Sequence, residues 1–331
     1  MSDYTASKDR YEKLAARRCG KSGLILPEVS LGLWHNFGSI DDYSNARNML
    51  RTAFDLGVFH FDLANNYGPE PGSAEENFGK IFTSDFKKYR DELILSTKAG
   101  YRMWSGPFGE WGSRKSLIAS CDQSLKRMQV DYVDIFYHHR PDPDTPIEES
   151  MLALDHIVRS GRALYVGLSN YEPAAAEQAF SILSELKTPA VIYQGRYNML
   201  GRNWESNGMF DMLRRTHKGA ICFSPLAQGI LSSRYLHGIP ENSRAVRNHF
   251  LKESSITPEL LAKLNSLAGI ARQRGQTLSQ MALAWILSRK EVTSVLCGAS
   301  SPEQIAETVK APLNTHFTSD ELERIDAIVI G

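Results

Sequence analysis

Apolar positions along the chain follow two alternating rhythms. Eight short runs, at residues 29–33 (VSLGL), 58–62 (VFHFD), 93–97 (LILST), 133–139 (VDIFYHH), 163–169 (ALYVGLS), 190–194 (AVIYQ), 220–225 (AICFSP) and 294–299 (SVLCGA), have the length and the β-branched or aromatic content of buried strands. Between them, stretches such as SNARNMLRTAFDLG, SRKSLIASCDQSLKRM, PIEESMLALDHIVRSG and PAAAEQAFSILSEL place apolar residues at helical spacing. Pro146, Pro173 and Pro302 stand where helices would begin, and Gly57 and Gly161 where they would end. Eight strand signals, each followed by a helical segment, predict an α/β fold closed into a (β/α)8 TIM barrel. A doubly wound sheet is the alternative, but no G-x-G-x-x-G follows the first strand.

Two segments fall outside that alternation. Residues 17–28 (RRCGKSGLILPE) predict a short N-terminal β-hairpin that caps the barrel floor. Its GKS does not make a phosphate-binding P-loop, because position 15 is Ala where that motif needs Gly. Residues 230–290 are long for one connection and carry helical patterns of their own, which predicts a helical insertion between strands 7 and 8. With no low-complexity linker and no repeat beyond the alternation, one domain over residues 1–331 is expected.

Composition narrows the function classes. Lys+Arg and Asp+Glu balance at 38 each, so no global field points to nucleic acid or an anionic membrane. The polar start, MSDYTASKDRYEK, lacks the apolar core of a secretory signal, and no apolar run reaches the length of a membrane span. Cys19, Cys121, Cys222 and Cys297 are scattered, with no metal-binding spacing, and are expected as reduced core thiols. A cytoplasmic protein without a bound metal is the expectation.

The chemistry gathers at strand ends, where parallel barrels carry their active sites. Asp62 ends the second strand with Tyr67 five residues on, Lys98 follows the third, and His138 and His139 close the fourth. These residue types suit protonation of a carbonyl oxygen. A free tyrosine titrates near 10, and an adjacent ammonium moves it toward working pH. Lys98 can supply that charge, Asp62 can pair with Lys98, and a histidine can donate to the substrate oxygen. Taken singly, Asp62 could be a helix cap and Tyr67 a turn residue. Strand alternation puts the two histidines on opposite faces, so only one faces the site.

These residues, with GVFHFDLANNYG, LILSTKAG, DYVDIFYHHRPD, YVGLSNY, YQGRYNML, FSPLAQG and SVLCGASSPEQ in order, resemble the aldo-keto reductase superfamily over nearly the whole chain. The likeness is greatest to its bacterial L-glyceraldehyde 3-phosphate reductase branch, with voltage-gated potassium channel β subunits as nearer cousins than the aldose reductases. The resemblance implies a tetrad of Asp62, Tyr67, Lys98 and His139, with Tyr67 as proton donor, and selects His139 over His138. It implies a nicotinamide dinucleotide, NADP(H) in preference to NAD(H), across the strand ends. Trp34, Asp62, Ser169, Asn170 and Gln194 would meet its nicotinamide half, with Phe223 stacked on the ring. Ser224, Leu226, Gln228 and Gly229 would line the pyrophosphate. Arg234, Gly298, Ser300 and Gln304 would hold the adenosine end, although Gln304 replaces an arginine common in the family.

For substrate, Trp34, His35, Tyr67, Trp104 and Arg140 are candidate rim residues, with 100–113 as a lid or binding loop. Arg102, Arg114, Arg140 and Arg202 are candidates for a substrate phosphate. The implied activity is NADPH-dependent reduction of small aldehydes or ketones, three-carbon phosphorylated or dicarbonyl compounds foremost. A cofactor-sensing regulatory subunit like the channel β subunits is the alternative, and His139 argues against it because that branch has Asn there. Self-association into tetramers or larger rings is a further implication.

Overall fold

Each of the eight apolar runs becomes a strand of one parallel barrel in a computed structural model that describes residues 4–12, 15–236 and 253–331. A hairpin of β1 (Ala16–Arg18) and β2 (Ile25–Pro27) precedes them. The barrel strands are β3 (Val29–Gly32), β4 (His60–Asp62), β5 (Ile94–Ala99), β6 (Val133–His138), β7 (Ala163–Ser169), β8 (Ala190–Arg196), β9 (Gly219–Phe223) and β10 (Val292–Cys297). Each pairs with the next in order, and β10 closes on β3. This is the architecture of a (β/α)8 barrel, with helices packed outside the strands.

Helices fall where the sequence punctuation places them. Asp42 caps α1 (Tyr43–Asp55) by accepting from the amides of Ser44 and Asn45. Further on come α2 (Ser73–Ile81), α3 (Arg114–Met128), α4 (Ile147–Arg159), α5 (Pro173–Glu185) and α6 (Met209–Thr216). The late connection contributes α7 (Pro258–Gln273) and α8 (Leu278–Leu287), the latter held by a reciprocal capping box of Thr277 and Gln280. The remaining part of the 230–290 insertion, residues 237–252, lies outside the described residues. After β10 follow α9 (Pro302–Thr308) and α10 (Ser319–Val329). Among the described residues no helix is long and apolar enough to cross a membrane.

The hairpin closes the barrel floor, as its sequence suggests. Leu24, Leu26 and Cys19 pack against Ile135, Ile192 and Ile221 from the barrel strands. Its turn must pass very close to the α6–β9 connection. At Gly20, φ is +54° and a Cβ would stand 2.2 Å from the His217 carbonyl, so only glycine fits. The four cysteines are buried free thiols, and burial pushes Cys19, Cys121 and Cys297 each up to about 12.

Strand limits differ from the sequence reading in three instructive places. β5 runs on to Ala99, so Lys98 lies inside the strand rather than beyond it. β9 stops at Phe223 because Ser224 adopts a left-handed backbone with φ 50°. β4 starts only at His60, since Gly57 ends α1 at φ 85° and the chain needs Val58 and Phe59 to reach the barrel.

The barrel interior has two chemical sides. One is apolar, built by Ile135, Tyr137, Ile192, Ile221 and Leu296. The other, on β10, β3, β4 and β5, carries the fully buried side chains of Ser294, Ser30, His60, Asp62, Ser96 and Lys98. Parallel register sets Asp62 beside Ser96 and Lys98 beside Tyr137, which stacks these polar groups toward the C-terminal rim.

Candidate active site

Asp62 is the last residue of β4, and Lys98 reaches it from β5. The Lys98 ammonium donates to Asp62 Oδ2 at 2.5 Å, to the Leu63 carbonyl at 2.5 Å and to the Tyr67 hydroxyl at 3.2 Å. A fully buried ammonium is expensive unless a charge and several acceptors surround it, and here they do. The other Asp62 oxygen accepts from Ser96 Oγ at 2.6 Å and from Gln194 Nε2 at 3.3 Å.

His139 follows directly on β6, its amide donating to the Ala99 carbonyl at 2.8 Å. Its ring meets Tyr67 edge-on at 6.1 Å between centroids and Tyr101 at 4.6 Å. His138 turns to the opposite face, where Nδ1 bonds the Tyr171 hydroxyl at 2.6 Å. The alternation expected from the sequence therefore places His139, and not His138, beside Tyr67 and Lys98.

The electrostatics modify one expectation. Burial raises the Tyr67 phenol above its ordinary value, and Lys98 pulls it only partly back, so the net shift is upward. Sequence reasoning had counted the ammonium but not the desolvation around it. For Lys98, burial works against the charge, but Asp62 and then Tyr67 outweigh it and the net shift is upward. Burial, with Lys98 adding to it, holds His139 well below 6.5 and therefore neutral. The resting site thus presents a protonated phenol, a fixed ammonium and a neutral imidazole.

Around this group the strand ends bring most of the other expected residues to the same rim. Trp34 stacks on His35 at 4.3 Å and lies 6.2 Å from the Tyr67 ring. Asn170, left-handed at φ 59°, donates to the His139 carbonyl at 3.0 Å and to Ser169 Oγ at 3.1 Å. Gln194 already donates to Asp62, and Phe223 is half-buried at the end of β9. Beyond it, Ser224, Ala227, Gln228 and Gly229 all have positive φ, at 50°, 47°, 61° and 93°. Two amides of this turn are spent inside it, Ala227 N–H on the Ser224 carbonyl and Gly229 N–H on the Leu226 carbonyl, both at 2.9 Å, and Pro225 carries none. Nothing would meet a Cβ at Gly229, so the turn is open there. Ser300 donates from both its amide and its hydroxyl to Gln304 Oε1, at 2.9 and 3.1 Å. Gly298 and Arg234 are exposed.

The arginines considered for a substrate phosphate are mostly engaged elsewhere. Arg140 lies between the rings of Trp111, at 3.6 Å, and Tyr101, at 4.1 Å, and is paired with Glu110. Arg202 bonds Glu205 and Asp326, and Arg114 bonds the Leu152 carbonyl. Arg102 is exposed on the loop, within 3.3 Å of Ser105 Oγ, while Trp104 is half-buried there. Sequence reasoning missed Ser96 and His60, which adjoin the tetrad from inside the barrel. Their signal was a polar residue at an inward step of an otherwise apolar strand.

Residues 28–330 match the Aldo/keto reductase family. Over 328 residues, 98% of this chain and 94% of each relative, the sequence is 54% identical to the L-glyceraldehyde 3-phosphate reductases of Escherichia coli O157:H7 and of E. coli strain K12. It is 34% identical, over 93% of this chain and 95% of the relative, to a probable voltage-gated potassium channel subunit beta of Arabidopsis thaliana. With the barrel closed and the ionisable groups gathered at its rim, this chain belongs to the aldo/keto reductase family and is an oxidoreductase.

Proposed function

We propose that this enzyme reduces small phosphorylated or dicarbonyl three-carbon aldehydes and ketones with NADPH, using Tyr67 as the proton donor. The observation that carries the reading is Lys98, whose ammonium bridges Asp62 and the Tyr67 hydroxyl beside a neutral His139. Tyr67 holds its proton at Oη until the carbonyl oxygen becomes basic, and Lys98 then stabilises the phenolate left behind. His139 orients that oxygen by donating to it, and Asp62 keeps Lys98 in place.

A dinucleotide fits the surface present. The turn from Ser224 to Gly229 would receive a pyrophosphate over Gly229, where no neighbouring atom stands in the way. Ser169, Asn170 and Phe223 would hold a nicotinamide, and Arg234, Gly298, Ser300 and Gln304 an adenosine 2′-phosphate. When bound, the reduced nicotinamide supplies the hydride.

The alternative, a cofactor-sensing regulatory subunit, is the weaker reading because likeness to the reductases, at 54%, exceeds likeness to the channel subunits, at 34%. The test is a panel of carbonyls, with glyceraldehyde 3-phosphate, methylglyoxal and unphosphorylated glyceraldehyde, each assayed with NADPH and NADH. Turnover of the three-carbon compounds with NADPH preferred is expected. Cofactor binding without turnover of any carbonyl would favour the regulatory reading.

A further inference from the structure

Below the tetrad, a line of side chains crosses four neighbouring strands without meeting solvent. Ser294 Oγ on β10 lies 2.7 Å from Ser30 Oγ on β3. Ser30 Oγ lies 2.8 Å from His60 Nδ1 on β4, and His60 Nε2 lies 2.9 Å from Ser96 Oγ on β5. Ser96 Oγ is 2.6 Å from Asp62 Oδ1. All five side chains are fully buried.

Counting protons gives the line a direction. Asp62 is ionised against the Lys98 ammonium, so its Oδ1 can only accept, and Ser96 must give its single hydroxyl proton there. Ser96 Oγ therefore accepts from His60, which places a proton on His60 Nε2. The groups facing His60 are Ser30 and Ser96 from the flanking strands, with Asp62 and Lys98 above. Burial pushes the imidazole down to about 4, with Asp62 only partly offsetting it and Lys98 disfavouring a second cation, so the ring is neutral. Its Nδ1 then carries a lone pair and accepts a hydrogen bond from the Ser30 hydroxyl, and Ser30 in turn accepts from Ser294. Every donor in the line points toward one carboxylate oxygen. The reverse direction would set a Ser96 lone pair 2.6 Å from the Asp62 charge.

We propose that His60 is a positioning residue for the reduction: as the neutral Nε2–H tautomer, fixed by Ser30 and Ser294, it aligns Ser96 onto Asp62 and thereby holds the carboxylate that seats Lys98 under Tyr67. Without that alignment Asp62 Oδ1 keeps only the longer Gln194 contact, and the carboxylate can rotate about its Cβ–Cγ bond. Lys98 then loses the fixed geometry from which it meets the Tyr67 hydroxyl. This inference rests on the proposed role of Tyr67, but its first test does not.

That test is long-range 1H–15N correlation on protein labelled at histidine, with the His60 signal assigned by its loss in His60→Gln. A neutral ring protonated at Nε2 at pH 7 is expected, whereas an Nδ1–H tautomer or a charged ring overturns the proposal. The second test is kinetic. His60→Leu fills similar space without either nitrogen function and should lower kcat about tenfold, with KM for the carbonyl changed less than about twofold. His60→Gln offers an amide N–H to Ser96 and an amide oxygen to Ser30, and should recover most of the loss. Because the line acts as a unit, His60→Leu combined with Ser96→Ala should cost little more than either alone. Unchanged kcat in His60→Leu, no recovery in His60→Gln, or simple multiplication of the two losses overturns it. If instead Tyr67→Phe retains turnover, the proton-donor reading fails and the tautomer result stands by itself.

Discussion

Tyr67 has two opposing neighbours, low-dielectric packing and an ammonium, and the packing wins in the resting site. That outcome suits an acid, because the proton stays on the phenol until a basic oxygen arrives. His139 is the second residue whose state matters. Held neutral by burial and by Lys98, it can donate to a carbonyl without adding a charge to the rim. His139→Asn preserves an N–H donor at altered reach, and should lower the rate of hydride transfer about tenfold or more while leaving cofactor affinity within about twofold. His138→Asn breaks the buried bond to Tyr171 instead, and should reduce stability while transfer stays near wild type. Single-turnover rates in the two folded variants check this, and the opposite ranking would move the site to the other face of β6.

Elements place these residues more firmly than single side chains do. The ends of β4, β5 and β6 are set by parallel register, so Asp62, Lys98 and His139 need no local adjustment to converge. The loop after β5 is different, because nothing in a strand register orders it. Arg140, two residues past β6, adds to the loop's own hydrogen bonds by packing on Tyr101 and Trp111, pairing with Glu110 and donating to the Gly100 carbonyl at 3.1 Å. Two ring contacts and a partly exposed ion pair together stabilise the loop by about 1–2 kcal/mol. Arg140→Ala should therefore expose residues 101–113 to limited proteolysis, with cleavage there rising about tenfold, and should raise KM for the carbonyl. An unchanged cleavage rate would show that the loop is held by other contacts.

This element also marks where the sequence stops being readable. The strands were legible because an apolar run must be buried somewhere. The nearness of Asp62, Tyr67 and Lys98 was legible because ionisable residues stand at or just past the ends of such runs, while His139 was chosen over His138 by family resemblance. The Arg140 clamp was not legible, since its partners at 101, 110 and 111 meet it only once an irregular loop has folded. Ser30, Ser96 and Ser294 were hidden for another reason. A serine within an apolar strand is ordinary, and only barrel closure brings β10 beside β3 and joins them through His60.

At the scale of the whole molecule, the barrel separates support from chemistry. Its floor is closed by the hairpin and its apolar side fills the interior, so the polar side can hold a buried ion pair in one orientation. At the rim stand the turn after β9, left-handed at Ser224, Ala227 and Gln228, and the loop after β5, where Arg140 packs on Trp111. The central claim is that this arrangement protonates a carbonyl through Tyr67. The most direct measurement compares wild type with Tyr67→Phe, using NADPH and glyceraldehyde 3-phosphate for turnover and fluorescence titration for cofactor binding in the same preparations. A kcat lower by about a hundredfold or more in the variant, with NADPH affinity within about twofold, is the predicted result. A Tyr67→Phe enzyme that turns over at a rate comparable to wild type would contradict it.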